Sequence, residues 1–549
     1  MKKISTVLAL QFVLVFSHAH AAGDSNSAAA ASTRARETLK YYNLEKSAAE
    51  KEEQVRSADE AVEAIAPEKV SKLPGGGQKI FVKEIEVPLS KLLSNKEVIE
   101  AVLDYEGKEL SISDLNELVA RINKLYRESG QITAKAYLPP QKITDGKIEI
   151  KLVEGTVGKI EIEGNTTTKD SYIRRNLAIY DGEIVDMKLL EKRLFLFNRK
   201  SDISLRAVLR PGEATGTTDY VLKVKEPRKI DILMYTDNAG RDETGRERFG
   251  MVITNKSLLG LRDQFSFGGL LADGTKNGFT SYNIPINRWG TRAGISYDYS
   301  RTSVRSGPMK HLKVTGKSKD LGFVLSHPLL VNKTYGLNVF AGYNNKRSST
   351  AYDAFTVLAQ KLRTFSYGFD YSNFGERLSW EFRNYGTRGL RHRNGDAEFF
   401  KYNSEVNAFF QISPKTFAMF RSNMQYSDSS EIPSSEQFQV GGVASVRGYP
   451  EGHMIGDKGY FMSLELSRKF LGSEKTRIVY FIDHGGIMNQ KSSNVSDAEN
   501  DSITSLGIGF NVNFTKQLSG RIYCGVPMLD HNEEAAYQPV IHFDVQLRF

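Results

Sequence analysis

From residue 228 to the C-terminus the chain alternates apolar and polar residues at period two, in sixteen successive segments such as "RERFGMVITNK", "GTRAGISYDYS", "ERLSWEFRNYG" and "SLGIGFNVNF". That period predicts β-strands with one dry face and one wet face. In the last segment Ile541, Phe543, Val545, Leu547 and Phe549 fall on one face, and His542, Asp544, Gln546 and Arg548 on the other. Short turns ("NRWG", "NFGE", "SPKT", "FTKQ") take turns with longer polar loops at 346–359, 387–398, 488–501 and 527–538. An even strand number with this asymmetry of connections predicts a transmembrane β-barrel of 16 antiparallel strands over 228–549. A soluble sandwich also alternates, but so many consecutive strands exceed its usual domain.

Upstream the period changes. Two similar units follow one another, at 80–155 and 156–227, each reading β-α-α-β-β over ~75 residues, with strands at period two and helices at 3.6. The first contains "KIFVKEIEV", "SISDLNELVARINKLYRESG" and "GKIEIKLVEG"; the second contains "VGKIEIEGN", "DMKLLEKRLFLFN" and "TDYVLKVKEP". Both end in a β-hairpin with an edge able to accept another strand. Before them, 33–66 is rich in Ala, Glu, Lys and Arg and lacks Gly and Pro. It predicts a long helix within 22–66, polar nearly all round, with a thin stripe of Val55, Ala58, Val62 and Ile65. Pro67, Pro74 and Gly75-Gly76-Gly77 mark a flexible linker over 67–79.

The N-terminus carries Lys2 and Lys3, an apolar run from Ile4 to Phe16, and Ala19-His20-Ala21. Membrane anchors need ~20 apolar residues, so 1–21 reads as a secretory signal and the mature chain begins outside the cytoplasm. A mean hydropathy of −0.39 does not argue against a membrane barrel, because lumen-facing positions dilute the lipid-facing ones. The formal net charge of +9 is spread along the chain and suits the anionic surface of an outer membrane better than nucleic acid, which an exported protein rarely meets. The one cysteine, Cys524, excludes an intrachain disulfide and a cysteine-rich metal site.

Three motifs stand out: "VRGYPEGHMIGDKGY" at 446–460, "FIDHGG" at 481–486, and the terminal Phe549. With "GQITAKAYLPPQKITDGKIEIKLVEGTVGKIEIEGN" at 130–165 and "LLGLRDQFSF" at 258–267, they make the chain resemble the outer-membrane transporters of two-partner secretion. These are the hemolysin and hemagglutinin activator/secretion proteins of the Omp85 superfamily. The resemblance implies that the repeated units are POTRA domains, periplasmic modules that bind unfolded polypeptide, and that the N-terminal helix is a plug. It further implies that the loop bearing Val446, Arg447, Gly448 and Tyr449 folds into the lumen, where Arg447 meets Asp483 of the wall motif Phe481-x-Asp483-x-Gly485. A guanidinium fork suits a carboxylate, since it makes two charge-assisted hydrogen bonds. By alternation Glu465 joins the polar face with Ser463 and Ser467, an additional lumenal carboxylate. Phe549 corresponds to the aromatic by which barrels are recognised for insertion. Gln131 departs from the pattern, which has an aromatic residue there.

Without the resemblance Arg447 reads as a solvated loop charge. "HLKVTGKS" at 311–318 imitates a phosphate-binding loop, but His311 stands where its first glycine belongs, so it reads as barrel strand. The histidines lack ligand spacing and no Gly-x-Ser-x-Gly elbow occurs, so neither a metal, a cofactor nor an enzyme is expected. The expected partners are a large secreted exoprotein bound through its N-terminal secretion domain, outer-membrane lipid and lipopolysaccharide, and the barrel assembly machinery during biogenesis. The other readings are an assembly factor of the same superfamily and a passive porin, though a porin has no use for ~200 periplasmic residues.

Overall fold

The computed structural model describes residues 28–57, 62–64 and 79–549, apart from 215, 354, 391–397, 430–431, 434, 489–499 and 530–537. The signal sequence and Gly75-Gly76-Gly77 lie outside the described residues. The chain divides into two compact units, one made of 1–55 with 227–549 and the other of 56–226.

In the larger unit, among the described residues, sixteen antiparallel strands close into a barrel, running from Ile230–Asp237 to Val540–Arg548. The expected fold is therefore borne out. The seam pairs the first strand with the last from Leu233↔Arg548 to Asp237↔Asp544. Inside and outside follow the alternation of the sequence. Ile541 is 51% exposed and Phe543 39%, whereas His542 and Asp544 are buried. The same holds for Thr476–Met488, where Tyr480 and Ile482 face outward and Val479, Phe481 and Asp483 inward. Cys524 lies in the wall strand Leu518–Leu529.

Two local expectations change. The polar stretch 346–359 is not a long loop: Tyr335–Tyr352 and Phe355–Phe374 continue through it as paired strands, to Tyr352↔Phe355. Polar residues extend a strand readily when its neighbour supplies the backbone partners, so polarity alone marked the wrong boundary. His311 sits in a short 3₁₀ turn, Pro308–Leu312, and the strand starts at Thr315. Gly307 (φ +79°) and Lys313 (φ +48°) bracket that turn and keep the backbone from extending there.

The N-terminal helix, Ala28–Ser57, lies in the barrel unit as far as Val55 and touches inward-facing strand residues. Arg36 pairs with Asp298 at 2.8 Å, Lys40 pairs with Glu405, and Asn43 accepts from Arg548. A helix polar over most of its surface is stable here because the lumen wall supplies complementary charge, while Leu39, Tyr41 and Tyr42 pack on apolar wall residues. It stops at Ser57 rather than continuing to 66. Val62–Ala64 is extended instead, held in parallel against Ser204–Pro211, so a tertiary partner overrides the local helical pattern.

The smaller unit holds the two β-α-α-β-β repeats. In the first, Ile112–Glu128 starts with a capping box: Ser111 accepts from the Asp114 N–H, and the Asp114 side chain accepts from the Ser111 N–H. Its Leu115, Leu118, Ile122 and Tyr126 pack on Ile85, Ile148 and Ile150. In the second, Asp186 caps Met187–Lys200, whose Met187, Leu190, Leu194 and Phe197 are buried. Gln131, where the family pattern has an aromatic, is buried and joins the repeats. Its Nε2 donates to Asp186 Oδ1 (3.0 Å) and its Oε1 accepts from the Met187 N–H (3.1 Å).

Candidate functional site

The polar inner faces of Lys458–Lys469 and Thr476–Met488 stand side by side, with Ser463 opposite Asp483 in register. Between the strands ending at Ser427 and starting at Lys458, the chain folds inward as a loop with its own hairpin, Phe438–Val440 paired with Met454–Gly456. The loop carries the four predicted residues. Val446 and Tyr449 are buried and pack with Phe438, Val440, Met454, Ile487 and Ile503, and the Tyr449 hydroxyl donates to the Thr504 carbonyl (3.0 Å).

Arg447 has no exposed surface, and neither has Asp483. The guanidinium grips the carboxylate with two prongs, Nε to Oδ2 at 2.8 Å and Nη2 to Oδ1 at 2.9 Å, and the Arg447 backbone N–H donates to Oδ2 as well (3.1 Å). Glu465 Oε1 lies 3.0 Å from Nη2. The guanidinium plane sits 3.6 Å from the centre of the Phe481 ring and 5.1 Å from that of Tyr523. One arginine therefore meets two carboxylates and two aromatic faces in a dry setting, where such contacts are strong.

Two glycines let the loop approach so closely. Gly448 has φ +94°, and a Cβ there would come within 3.0 Å of the Gly525 carbonyl carbon on the wall. At Gly485 a Cβ would meet Val440 of the loop hairpin at 2.9 Å and the Tyr460 carbonyl at 2.8 Å. The structure thus brings Val446, Arg447, Gly448, Tyr449, Glu465, Phe481, Asp483 and Gly485 into one constellation. Phe549 is elsewhere, half exposed at the seam. Its N–H donates to the Ile232 carbonyl (3.0 Å) and its carbonyl accepts from the Ile232 N–H (3.2 Å).

The pattern of the sequence did not reveal the helix's part in this site. Tyr41 and Tyr42 are buried. The Tyr41 hydroxyl lies 3.3 Å from Arg447 Nη1; Arg421 covers its ring at 4.4 Å and Arg521 at 5.1 Å. Arg521 also covers Tyr42 at 4.5 Å while gripping Asp544. Arg421 in turn donates to the Ala444 carbonyl of the loop (3.0 Å). Further along the lumen Glu436, also on the loop, holds Lys346 and Lys401, each at 2.7 Å. The available signal was a pair of adjacent tyrosines on an otherwise polar helix.

The family described as haemolysin secretion/activation protein ShlB/FhaC/HecB matches residues 216–512, over half of the chain. The chain belongs to this family. A ShlB-type POTRA domain matches 80–155. The secretion protein is 26% identical to the heme/hemopexin transporter protein HuxB of Haemophilus influenzae (strain 86-028NP), over 83% of this chain and 86% of that one. It is 23% identical to the outer membrane transporter CdiB of Dickeya dadantii, over 71% and 73%. Among solved structures, CdiB from Escherichia coli superposes with a TM-score of 0.65 over 94% of this chain and 98% of that chain, at 19% identity, a likeness of fold. BamA from Haemophilus ducreyi shares the fold at a TM-score of 0.55. The protein is accordingly an outer-membrane transporter of two-partner secretion with POTRA domains in the periplasm, and it translocates a partner exoprotein to the cell surface. Its family is one of secretion channels.

Proposed function

We propose that the resting transporter is closed by its own helix, that the Arg447 loop latches the helix in place, and that export begins when the latch opens. The observation that carries this is Tyr41. Its hydroxyl is 3.3 Å from the same guanidinium that binds Asp483, so helix, loop and wall share one charge cluster. The POTRA repeats take the N-terminal secretion domain of one large exoprotein, and the exported chain then threads the lumen. Transport draws on no nucleotide, and folding of the exported chain outside supplies the direction. The outward apolar rows, such as Met462, Leu464 and Leu466, contact lipid, and basic loops meet lipopolysaccharide. Phe549 serves the assembly machinery during insertion. The test is removal of residues 24–57, followed by planar-bilayer conductance and exoprotein release. A rise in conductance with release retained is expected; unchanged conductance would return the helix to a structural role.

A further inference from the structure

The longest strands of the barrel carry a surface of one charge sign on their outer side. Thr315–Val331, Tyr335–Tyr352 and Phe355–Phe374 have 17, 18 and 20 residues, whereas ~9–11 tilted residues cross a bilayer. The chain enters the first barrel strand from the second repeat, so the Ile230 end of that strand is periplasmic. Successive strands run antiparallel, which places the ends at Thr315, Tyr352 and Phe355 toward the cell surface. Near those ends Asp298, Asp320 and Lys346 take the lumenal parity, with Asp320 opposite both others in register. Arg301, Lys317, Lys319, Arg347, Lys361 and Arg363 take the outward parity and are exposed.

These cations are neighbours. Arg301 stands opposite Lys317, Lys319 opposite Arg347, and Arg347 opposite Lys361. Side chains directly opposite have Cβ atoms only ~4.5–5.5 Å apart, so like charges there repel. The odd-numbered, outward positions of 297–303, 315–325, 343–349 and 359–365 include no Asp or Glu to relieve them. Closer to the cell surface the signs mix, and Lys313 pairs with Asp353 at 3.0 Å. An extension surrounded by water would carry both signs throughout, as that tip does. On the periplasmic side the charges give way at once to exposed apolar rings and chains. Phe365 follows Arg363 by two residues, ~7 Å along the strand, and Tyr297, Phe323, Leu325 and Tyr367 continue the apolar surface. The row of cations therefore borders the lipid-facing band at the height of the outer-leaflet headgroups.

We propose that this row is a binding site for the phosphorylated headgroup of an outer-leaflet glycolipid, the lipid A portion of lipopolysaccharide. The inference rests on the proposed contact with lipopolysaccharide and places it on the barrel wall rather than on the loops. A phosphate between Lys319, Arg347 and Lys361 turns three mutual repulsions into charge-assisted hydrogen bonds, with the arginine fork able to hold two phosphate oxygens. A second phosphate reaches Arg301 and Lys317 one pair nearer the cell surface. The acyl chains then lie along Phe323, Leu325 and Phe365, which a free phosphate ion has no use for. Charge and apolar surface in this order fit an amphiphile with a multiply anionic head.

The test measures binding of bis-phosphorylated lipid A to the full chain in detergent, with inorganic phosphate as competitor and fully dephosphorylated lipid A as control. The parent is expected to bind the bis-phosphorylated form and to lose most of that affinity for the dephosphorylated one. Lys319→Gln with Arg347→Gln and Lys361→Gln should weaken binding about tenfold or more, because the charge-assisted bonds are gone. Removing opposed like charges relieves repulsion, so this variant should keep a heat-modifiable barrel. Arg347→Gln alone, at the centre of the row, should weaken binding several-fold and decides the matter if the triple variant does not fold. Parent-level binding by the folded triple variant, or by Arg347→Gln in its place, would overturn the site while leaving contact with lipopolysaccharide elsewhere. No binding of bis-phosphorylated lipid A by the parent would overturn the contact itself and the site with it. Full displacement by an equal concentration of inorganic phosphate would show a free-anion site and overturn the lipid.

Discussion

Arg447 and Asp483 meet in the barrel interior with both carboxylate oxygens gripped, at 2.8 and 2.9 Å, and neither side chain exposed. The pair ties a loop to a wall strand 36 positions further along the chain. Removing one partner leaves the other charge buried and unpaired, typically a loss of ~3–5 kcal/mol. Arg447→Ala is therefore expected to lower exoprotein release about tenfold or more while most of the barrel remains heat-modifiable in the outer membrane. Arg447→Lys keeps the charge but loses the fork and the stacking on Phe481, so it should fall between the two. Release at the parent rate by Arg447→Ala, in a quantitative assay of the medium, would remove the loop from the export mechanism.

Phe549 closes the seam through two backbone hydrogen bonds to Ile232. The registered pairing there spans only Leu233–Asp237 on the first strand. Deleting Phe549 takes away that final pair as well as the terminal aromatic. Outer-membrane levels are expected to drop several-fold, measured as heat-modifiable protein in membrane fractions. A normal level would mean that insertion and closure draw on other features of the last strand.

The barrel was legible because lipid on one side and a wet lumen on the other impose a strict period of two, as in the Ile541 to Phe549 row. The Arg447–Asp483 pairing was legible only through the motifs, since a charge in a polar loop and a charge in a wet wall look alike in sequence. For the same reason Glu436, which holds Lys346 and Lys401, gave no signal: in a lumen filled by a helix and a loop, polar residues are buried. Tyr41 and Tyr42 were hidden by the average polarity of their helix. Val62 was read as part of a helical stripe with Val55, Ala58 and Ile65. Its extended conformation depends on an edge strand about 140 positions away, a long-range partner of the kind that overrides local propensity.

Glu226 gives the second POTRA repeat a defined response to acid. Burial pushes its carboxyl up, but hydrogen bonds from the hydroxyls and N–H groups of Thr166 and Thr167 and from the Thr168 N–H outweigh this and hold it at about 2. An unfolded glutamate titrates at about 4.3. With the folded value depressed, its stabilisation is complete above the unfolded value and is lost as pH falls from there through about 2. Hydrogen exchange of the Thr166–Thr168 amides in the full chain, compared with Glu226→Gln at each pH, should show a protective advantage at neutral pH that shrinks across this window. An advantage independent of pH would mean that the threonines do not select the ionised form.

Tyr41 is the point at which the helix can be loosened without removing it. Its ring lies under Arg421 and beside Arg521, and its hydroxyl is near Arg447. A cation over a desolvated aromatic face contributes about 2 kcal/mol or more. Tyr41→Ala removes two such contacts and leaves Arg447 with Asp483 and Glu465, so the barrel and loop should stay assembled. The helix also keeps its pairs at Arg36–Asp298 and Lys40–Glu405, which makes partial rather than complete loss of closure the expected outcome. In planar bilayers the variant should open at least several-fold more often than the parent, with openings of the size seen after removal of residues 24–57. Tyr41→Phe keeps both ring contacts and loses only the hydroxyl, so it should lie close to the parent. Equal opening frequencies for Tyr41→Ala and the parent would show that the ion pairs and the Tyr42 and Asn43 contacts suffice to hold the helix, and that Tyr41 plays no part in closing the pore.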